Sequence, residues 1–298
     1  GGYSRVSGCG GDERGGTMLS GVMLLWFILT GLAMLFIAID IRSRPTSPVM
    51  KWAFVLITAY TGVIGAFLYV LGCREPLPGM HEQYVASRWR QTLGSTMHCV
   101  AGDGLGILAG AVIGATVHLS GLWDISLEYA LGFGFGWTIF QALFMKRMGG
   151  TYAQALAGTF VAELVSMNVL MSVMVPVMAF LMSHEPGSHN PLSPAFWFIM
   201  SMSLLAGLIA AYPANWWLVK NHLKHGMATV RRPGAEPVVD PGAGERDLSK
   251  TPGRPTVERK PPESHGRKPG PATLALAIVL SVMLLAAGIG TSLLAGAH

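Results

Sequence analysis

The chain has 298 residues, of which 51% are hydrophobic and only 12% are charged. Soluble globular chains carry about 25% charged residues, so this balance, with a mean hydropathy of +0.46, excludes an ordinary soluble domain and points to a multi-pass membrane protein. The net charge of +5 is modest, and most basic residues fall in loops and one late linker, a topology signal rather than a nucleic-acid footprint. Three cysteines, Cys9, Cys73 and Cys99, form no CxxC pair and are odd in number, so no disulfide framework is expected.

Residues 1–16 read as a flexible N-terminus; Val6-Ser7-Gly8-Cys9 has the outline of a lipoprotein box but no apolar stretch ahead of it. Seven apolar segments follow, at about 18–39, 50–72, 97–121, 125–145, 153–182, 194–219 and 273–296. Each is near the ~20 residues a helix needs to cross ~30 Å of hydrocarbon. Only helices satisfy every backbone group within one segment, so the expected fold is an all-α transmembrane bundle of about seven spans. Residues 17–227 form a six-helix membrane domain in this reading. Residues 228–271, rich in Pro, Gly, Lys, Arg and Glu, read as a disordered basic linker. The segment 272–298 reads as a C-terminal transmembrane helix.

With the N-terminus in the cytoplasm, the inner loops hold Arg74, Arg88, Arg90, Lys146, Arg147, Lys220, Lys224 and the basic linker. The loops after the third and fifth segments then carry no Lys or Arg, as the positive-inside rule asks. Arg42, Arg44 and Lys51 run against it. A re-entrant third segment would place those three inside but move Arg74, Arg88 and Arg90 outside, so seven plain spans are preferred.

Ionisable residues within spans are costly and mark function by default. The third segment opens on "MHCVAGDGLG" (97–106). Cys99 and Asp103, four residues apart, share a helix face. His98 lies on a neighbouring face with Gly102, Gly106, Gly110 and Gly114, a continued GxxxG ladder that invites close helix approach. Imidazole and thiolate suit zinc or copper, and a carboxylate widens the choice to harder ions. The plain alternative is hydrogen bonding between neighbouring helices, with Cys99 merely packed.

In the fifth segment, Glu163 is followed by Met167, Met171, Met174, Met178 and Met182, within an arc of roughly 100°. Thioethers select Cu(I); the same stripe also serves as adaptable packing. Glu163, with Asn168 on the same helix, is expected to bond to a second helix or accept a proton or cation. Pro176 should kink this helix and free a carbonyl. The loop residues His184, Glu185 and His189 form a weaker cation candidate. At the end of the sixth segment, Pro213, Asn215, Trp216 and Trp217 precede Lys220, His222, Lys224, His225 and Met227. That run reads as interfacial anchoring.

"AIDIRSRP" (38–45), "MHCVAGDGLG" (97–106), "AELVSMN" (162–168) and "AYPANWWLV" (211–219) occur together and in this order. On these motifs the chain, over roughly 17–228, resembles an uncharacterised family of bacterial multi-helix membrane proteins. That family is a domain of unknown function, sometimes associated with copper oxidases. The resemblance matches a His–Cys pair to His98 and Cys99, and Pro213, Asn215 and Trp217 to its sixth helix. It also matches Asp40, Arg44 and Pro45 to its first loop, where Asp40 and Arg44 would form an ion pair. A second family cysteine stands where this chain has Asp103, which favours a mixed or harder site over a pure thiolate one.

The leading expectation is an inner-membrane protein that binds or transports a transition-metal ion, copper or else zinc. His98 and Cys99 would be ligands, Asp103 or Glu163 the charge-balancing groups, and Met167, Met171 and Met174 the path. The alternative is a non-catalytic structural or assembly subunit that packs as a homo-oligomer or against a membrane-protein partner. Enzyme motifs such as G-x-S-x-G, HExxH and the Walker loop are missing from the sequence. The expected surroundings are lipid, with no nucleic acid.

Overall fold

The computed structural model describes residues 12–44, 46–75, 81–142, 151–224, 226 and 269–295. Among the described residues every regular element is helical, with no β-strand. Helix α1 (Asp12–Asp40) runs into a 3₁₀ turn, Ile41–Ser43. Then come α2 (Pro48–Gly72), a short α3 (His81–Val85), α4 (Arg88–Thr116) and α5 (Leu122–Gly134). A π-helical segment, Phe135–Gln141, continues α5 directly. Helices α6 (Tyr152–His184), α7 (Pro194–Lys220) and α8 (Pro271–Ala295) complete the order. The basic linker falls almost wholly outside the described residues, as does the N-terminal stretch up to residue 11.

The helix starts follow local chemistry. Ser47 caps α2 by accepting from the Met50 amide at 3.3 Å, with Pro48 next in line. Thr151 and Gln154 form a reciprocal capping box at α6. Ser193 caps α7 ahead of Pro194. Each cap satisfies amides that the first helical turn leaves without partners.

Among the described residues, six helices are long and apolar enough to cross a membrane: Leu19–Ser43, Pro48–Gly72, Arg88–Thr116, Tyr152–His184, Pro194–Lys220 and Pro271–Leu294. The fourth expected span is built differently. It is α5 followed by the π segment, a continuous helical backbone from 122 to 142 with Asp124 and Glu128 on it. The protein is therefore an all-α, multi-pass membrane protein.

Helix α4 is the centre of the bundle, with 61% of its apolar window buried against 11% for α8. It packs on α2, α5, the π segment and α7. Its glycine ladder faces α5, as the small-residue spacing predicts. A Cβ at Gly106 would strike the Leu131 backbone, and one at Gly110 would lie 2.7 Å from Glu128 Cα. At Gly102 it would lie 2.8 Å from the Phe140 ring.

The outer helices present Leu24, Leu25, Ile28, Leu32, Leu276 and Leu284 outward, the surface a bilayer covers. Helix α8 is nonetheless anchored. Asn168 donates to Ser281 Oγ at 3.0 Å while its carbonyl accepts from Tyr129 at 2.7 Å. Pro176 cannot donate to the Ser172 carbonyl one turn earlier. Gly288 of α8 seats against that carbonyl, leaving no room for a side chain.

Candidate functional site

Four helical pieces converge on one buried polar centre. From α4 come His98, Cys99 and Asp103; the π segment supplies Gln141, α6 Glu163, and α7 with its C-terminal turn Asn215 and Lys224. All are at most 5% exposed. The shared face predicted for Cys99 and Asp103 is the face that meets Glu163. Cys99 Sγ lies 3.4 Å from Glu163 Oε2 and 3.7 Å from Gln141 Oε1.

Asp103 and Glu163 adjoin each other. Beyond that pairing, both Asp103 oxygens and Glu163 Oε1 find no hydrogen-bond partner among the described residues. Gly136 makes this meeting possible. A Cβ there would lie 2.7 Å from Glu163 Oε1 and closer still to Asp103 Oδ1. The π segment thus presents a glycine where two carboxyls need space. Five residues on, it turns Gln141 towards Cys99. Such π turns recur at functional positions in helices.

Lys224 enters from below α7. The helix ends at Lys220, and His222 adopts a left-handed backbone with φ of 55°. The amides of Leu223 and Lys224 then return to the Leu218 carbonyl at 3.0 and 3.3 Å. This reversal carries Lys224 into the bundle. Its Nζ donates to Asn215 Oδ1 at 2.8 Å and stands 3.5 Å from Glu163 Oε2. Asn215 in turn donates to Ser166 Oγ at 3.1 Å. Burial alone would lower the Lys224 pKa; the neighbouring Cys99 and Glu163 outweigh it and hold the ammonium above its ordinary value.

His98 points along the neighbouring face and meets Phe140 edge-on, ring centroids 5.6 Å apart. It shares the centre's electrostatic environment with Glu163 and Lys224. Among the described residues, no three His, Cys, Asp or Glu side chains stand close enough to share one metal ion. Met167, Met171 and Met174 are fully buried in the main apolar core. Asn168 belongs to the α8 anchor rather than to the centre. Asp40 and Arg44 pair at 2.7 Å, and Asp40 also accepts from Tyr69 at 2.7 Å and Arg74 at 3.2 Å. That cluster ties the end of α1 to the end of α2, outside the buried centre. His184 caps its own helix through the Phe180 carbonyl at 2.7 Å.

Two members of the centre carried little sequence signal. Lys224 looked like an interfacial anchor because it follows Trp216, Trp217 and Lys220. Gln141 was one polar residue near a span end. Glu128 is the one acidic residue inside the fourth segment, a sequence signal in its own right.

Residues 88–224 match the family model of a domain of unknown function, DUF4396. The matched stretch runs from the first residue of α4 to Lys224 and holds every member of the buried centre. The Asp40–Arg44 pair lies outside it. No curated protein and no solved structure matches the chain.

Proposed function

We propose that this multi-pass membrane protein takes up and passes on one exchangeable cation at the Asp103–Glu163–Cys99–Lys224 centre. The observation that carries the reading is a charge count. Two fully buried carboxyls, Asp103 and Glu163, face one buried ammonium, Lys224. With both carboxyls ionised, one negative charge is left in a low-dielectric interior. Such a charge is held only with a proton or a cation beside it. The proton is the simplest carrier, because it needs no ligand set.

A transition-metal ion is the alternative cargo, and copper is the metal that the donors suit. Cys99 supplies a thiol, and the α6 thioethers run from Met167 near the centre to Met178 and Met182 at the far end of the bundle. Thiolate and thioether are soft ligands. A metal would require His98 to turn from Phe140 towards Cys99. An N-terminus in the cytoplasm suits the loops after the third and fifth segments, which carry no Lys or Arg, although Arg42, Arg44 and Lys51 run against it.

The experiment is cation binding to detergent-purified protein, wild type beside Cys99→Ser and Glu163→Gln. Uptake of one Cu(I) or Zn(II) per chain, lost in Cys99→Ser, supports the metal as cargo. One proton released or bound per chain on titration, lost in Glu163→Gln with no metal retained, supports the proton. Neither response in the wild type defeats the proposal. The complete burial of Met167, Met171 and Met174 in the core makes the stripe internal packing rather than a metal path; the second reading is then an assembly subunit. In that case Glu163→Gln changes stability and association and leaves cation binding untouched.

A further inference from the structure

A second polar feature lies at the opposite end of the bundle and goes beyond the exchange centre. A cavity of about 650 Å³ opens where α4 and α6 end and α5 and α7 begin. Its lining includes Asp124, Glu128, His118, His189, Met178 and Phe196. Ala111 and Ala115 of α4 also line it, eight and twelve residues beyond Asp103. At 1.5 Å per residue that is about 12–18 Å from the centre along the helix.

Glu128 is the unusual group. It is 1% exposed, and its Oε2 has no hydrogen-bond partner among the described residues. Its backbone is pressed against Gly110, and Asp124, one turn earlier, occupies the space left by Gly114. Both carboxyls are therefore fixed by the glycine ladder. No Lys or Arg lines the cavity, and the loops at this end, 117–121 and 185–193, contain none. An anion is thereby disfavoured.

The occupant's chemistry follows from size, walls and donors. No three ligating side chains converge there among the described residues, and the volume far exceeds a bare metal ion. The volume falls in the range of small-molecule sites, which are mostly apolar with a few placed polar groups. Phe196 and Met178 supply apolar and aromatic wall, and an aromatic face also attracts a cation. A buried carboxylate oxygen without a donor calls for an N–H.

We propose that this cavity binds a small primary ammonium ion with a short apolar body, its N–H groups donating to Glu128 and its charge shared with Asp124. Primary ammonium groups are carried both by soluble amines and by ethanolamine lipid headgroups.

The test is calorimetric titration of the full chain, delipidated in neutral detergent, with n-butylammonium, with n-butanol and tetramethylammonium as controls. Butylammonium is expected to bind, tetramethylammonium more weakly and butanol not measurably. Glu128→Gln should weaken butylammonium by at least about tenfold, the loss of one charge-assisted hydrogen bond. Should that variant fail to fold, Ala115→Phe fills the cavity with Glu128 intact and should abolish binding. Added ethanolamine phospholipid either displaces butylammonium, making the lipid headgroup the occupant, or does not, leaving a soluble amine. Absence of butylammonium binding, equal binding by the variants, or Zn(II) binding at Glu128 without the amine overturns the proposal. None of these outcomes depends on the exchange centre, whose variants report separately.

Discussion

At the scale of single residues, the centre depends on one absent side chain and one inserted charge. Gly136 is the absent side chain. In Gly136→Ala, a methyl group would enter the space between Asp103 and Glu163, and the clash is with carboxyl oxygens held from two helices. Overpacking of this kind costs typically 1–3 kcal/mol, so a lower unfolding midpoint is expected in a detergent melt. Gly158 makes the comparison, since a Cβ there meets nothing within 4 Å. Gly158→Ala should be neutral or slightly stabilising. Equal behaviour of the two variants would refute the role given to Gly136. Lys224 is the inserted charge. Removing one partner of a fully buried ion pair costs roughly 3–5 kcal/mol, so Lys224→Met should be strongly destabilised. Adding Glu163→Gln should recover part of the loss, and a double-mutant cycle reads this coupling. Strict additivity would mean that the 3.5 Å contact contributes nothing.

At the scale of elements, the glycine ladder is what the sequence showed most clearly. Four glycines at spacing four, with apolar neighbours, allow only a helix that another backbone approaches closely, and α5 is that partner. Gly106→Leu should therefore separate α4 from α5 and leave little folded protein, judged by gel filtration in detergent; recovery of a monodisperse peak at wild-type yield would contradict the crossing. The methionine stripe was equally visible and less decisive. Its helical spacing is satisfied by packing alone, and Met167, Met171 and Met174 do pack in the core. Met171→Leu conserves volume, so it should cost less than about 1.5 kcal/mol. Unchanged Cu(I) binding in that variant would confine the stripe to packing, whereas weakened Cu(I) binding at unchanged stability would make it part of a metal path. The π segment was not visible in sequence. Its period differs from that of an α-helix over only one turn, and its glycines and aromatics also suit a plain span.

At the scale of the whole molecule, hydropathy and length gave the all-α membrane bundle, because the bilayer allows few other solutions. The same hydropathy could not assign partners across helices. Cys99 and Asp103 were legible as one face of α4. That this face meets Glu163, 60 or more residues later, depends on how α4 and α6 pack. The placement of Lys224 depends on a chain reversal after α7, set by the left-handed backbone of His222, a conformation uncommon for any residue but glycine and so not legible locally. Local pattern thus located the residues, while tertiary packing made them a centre. The role proposed for that centre is exchange of one positive charge across the bilayer. The most direct measurement is cation flux into proteoliposomes under a membrane potential, with an internal pH dye and Cu(I) counted in parallel. The expected result of that role is flux of protons or Cu(I) above protein-free vesicles, abolished in Glu163→Gln and in Asp103→Asn while both variants remain folded. Flux indistinguishable from protein-free vesicles, or undiminished flux in both folded variants, would contradict it.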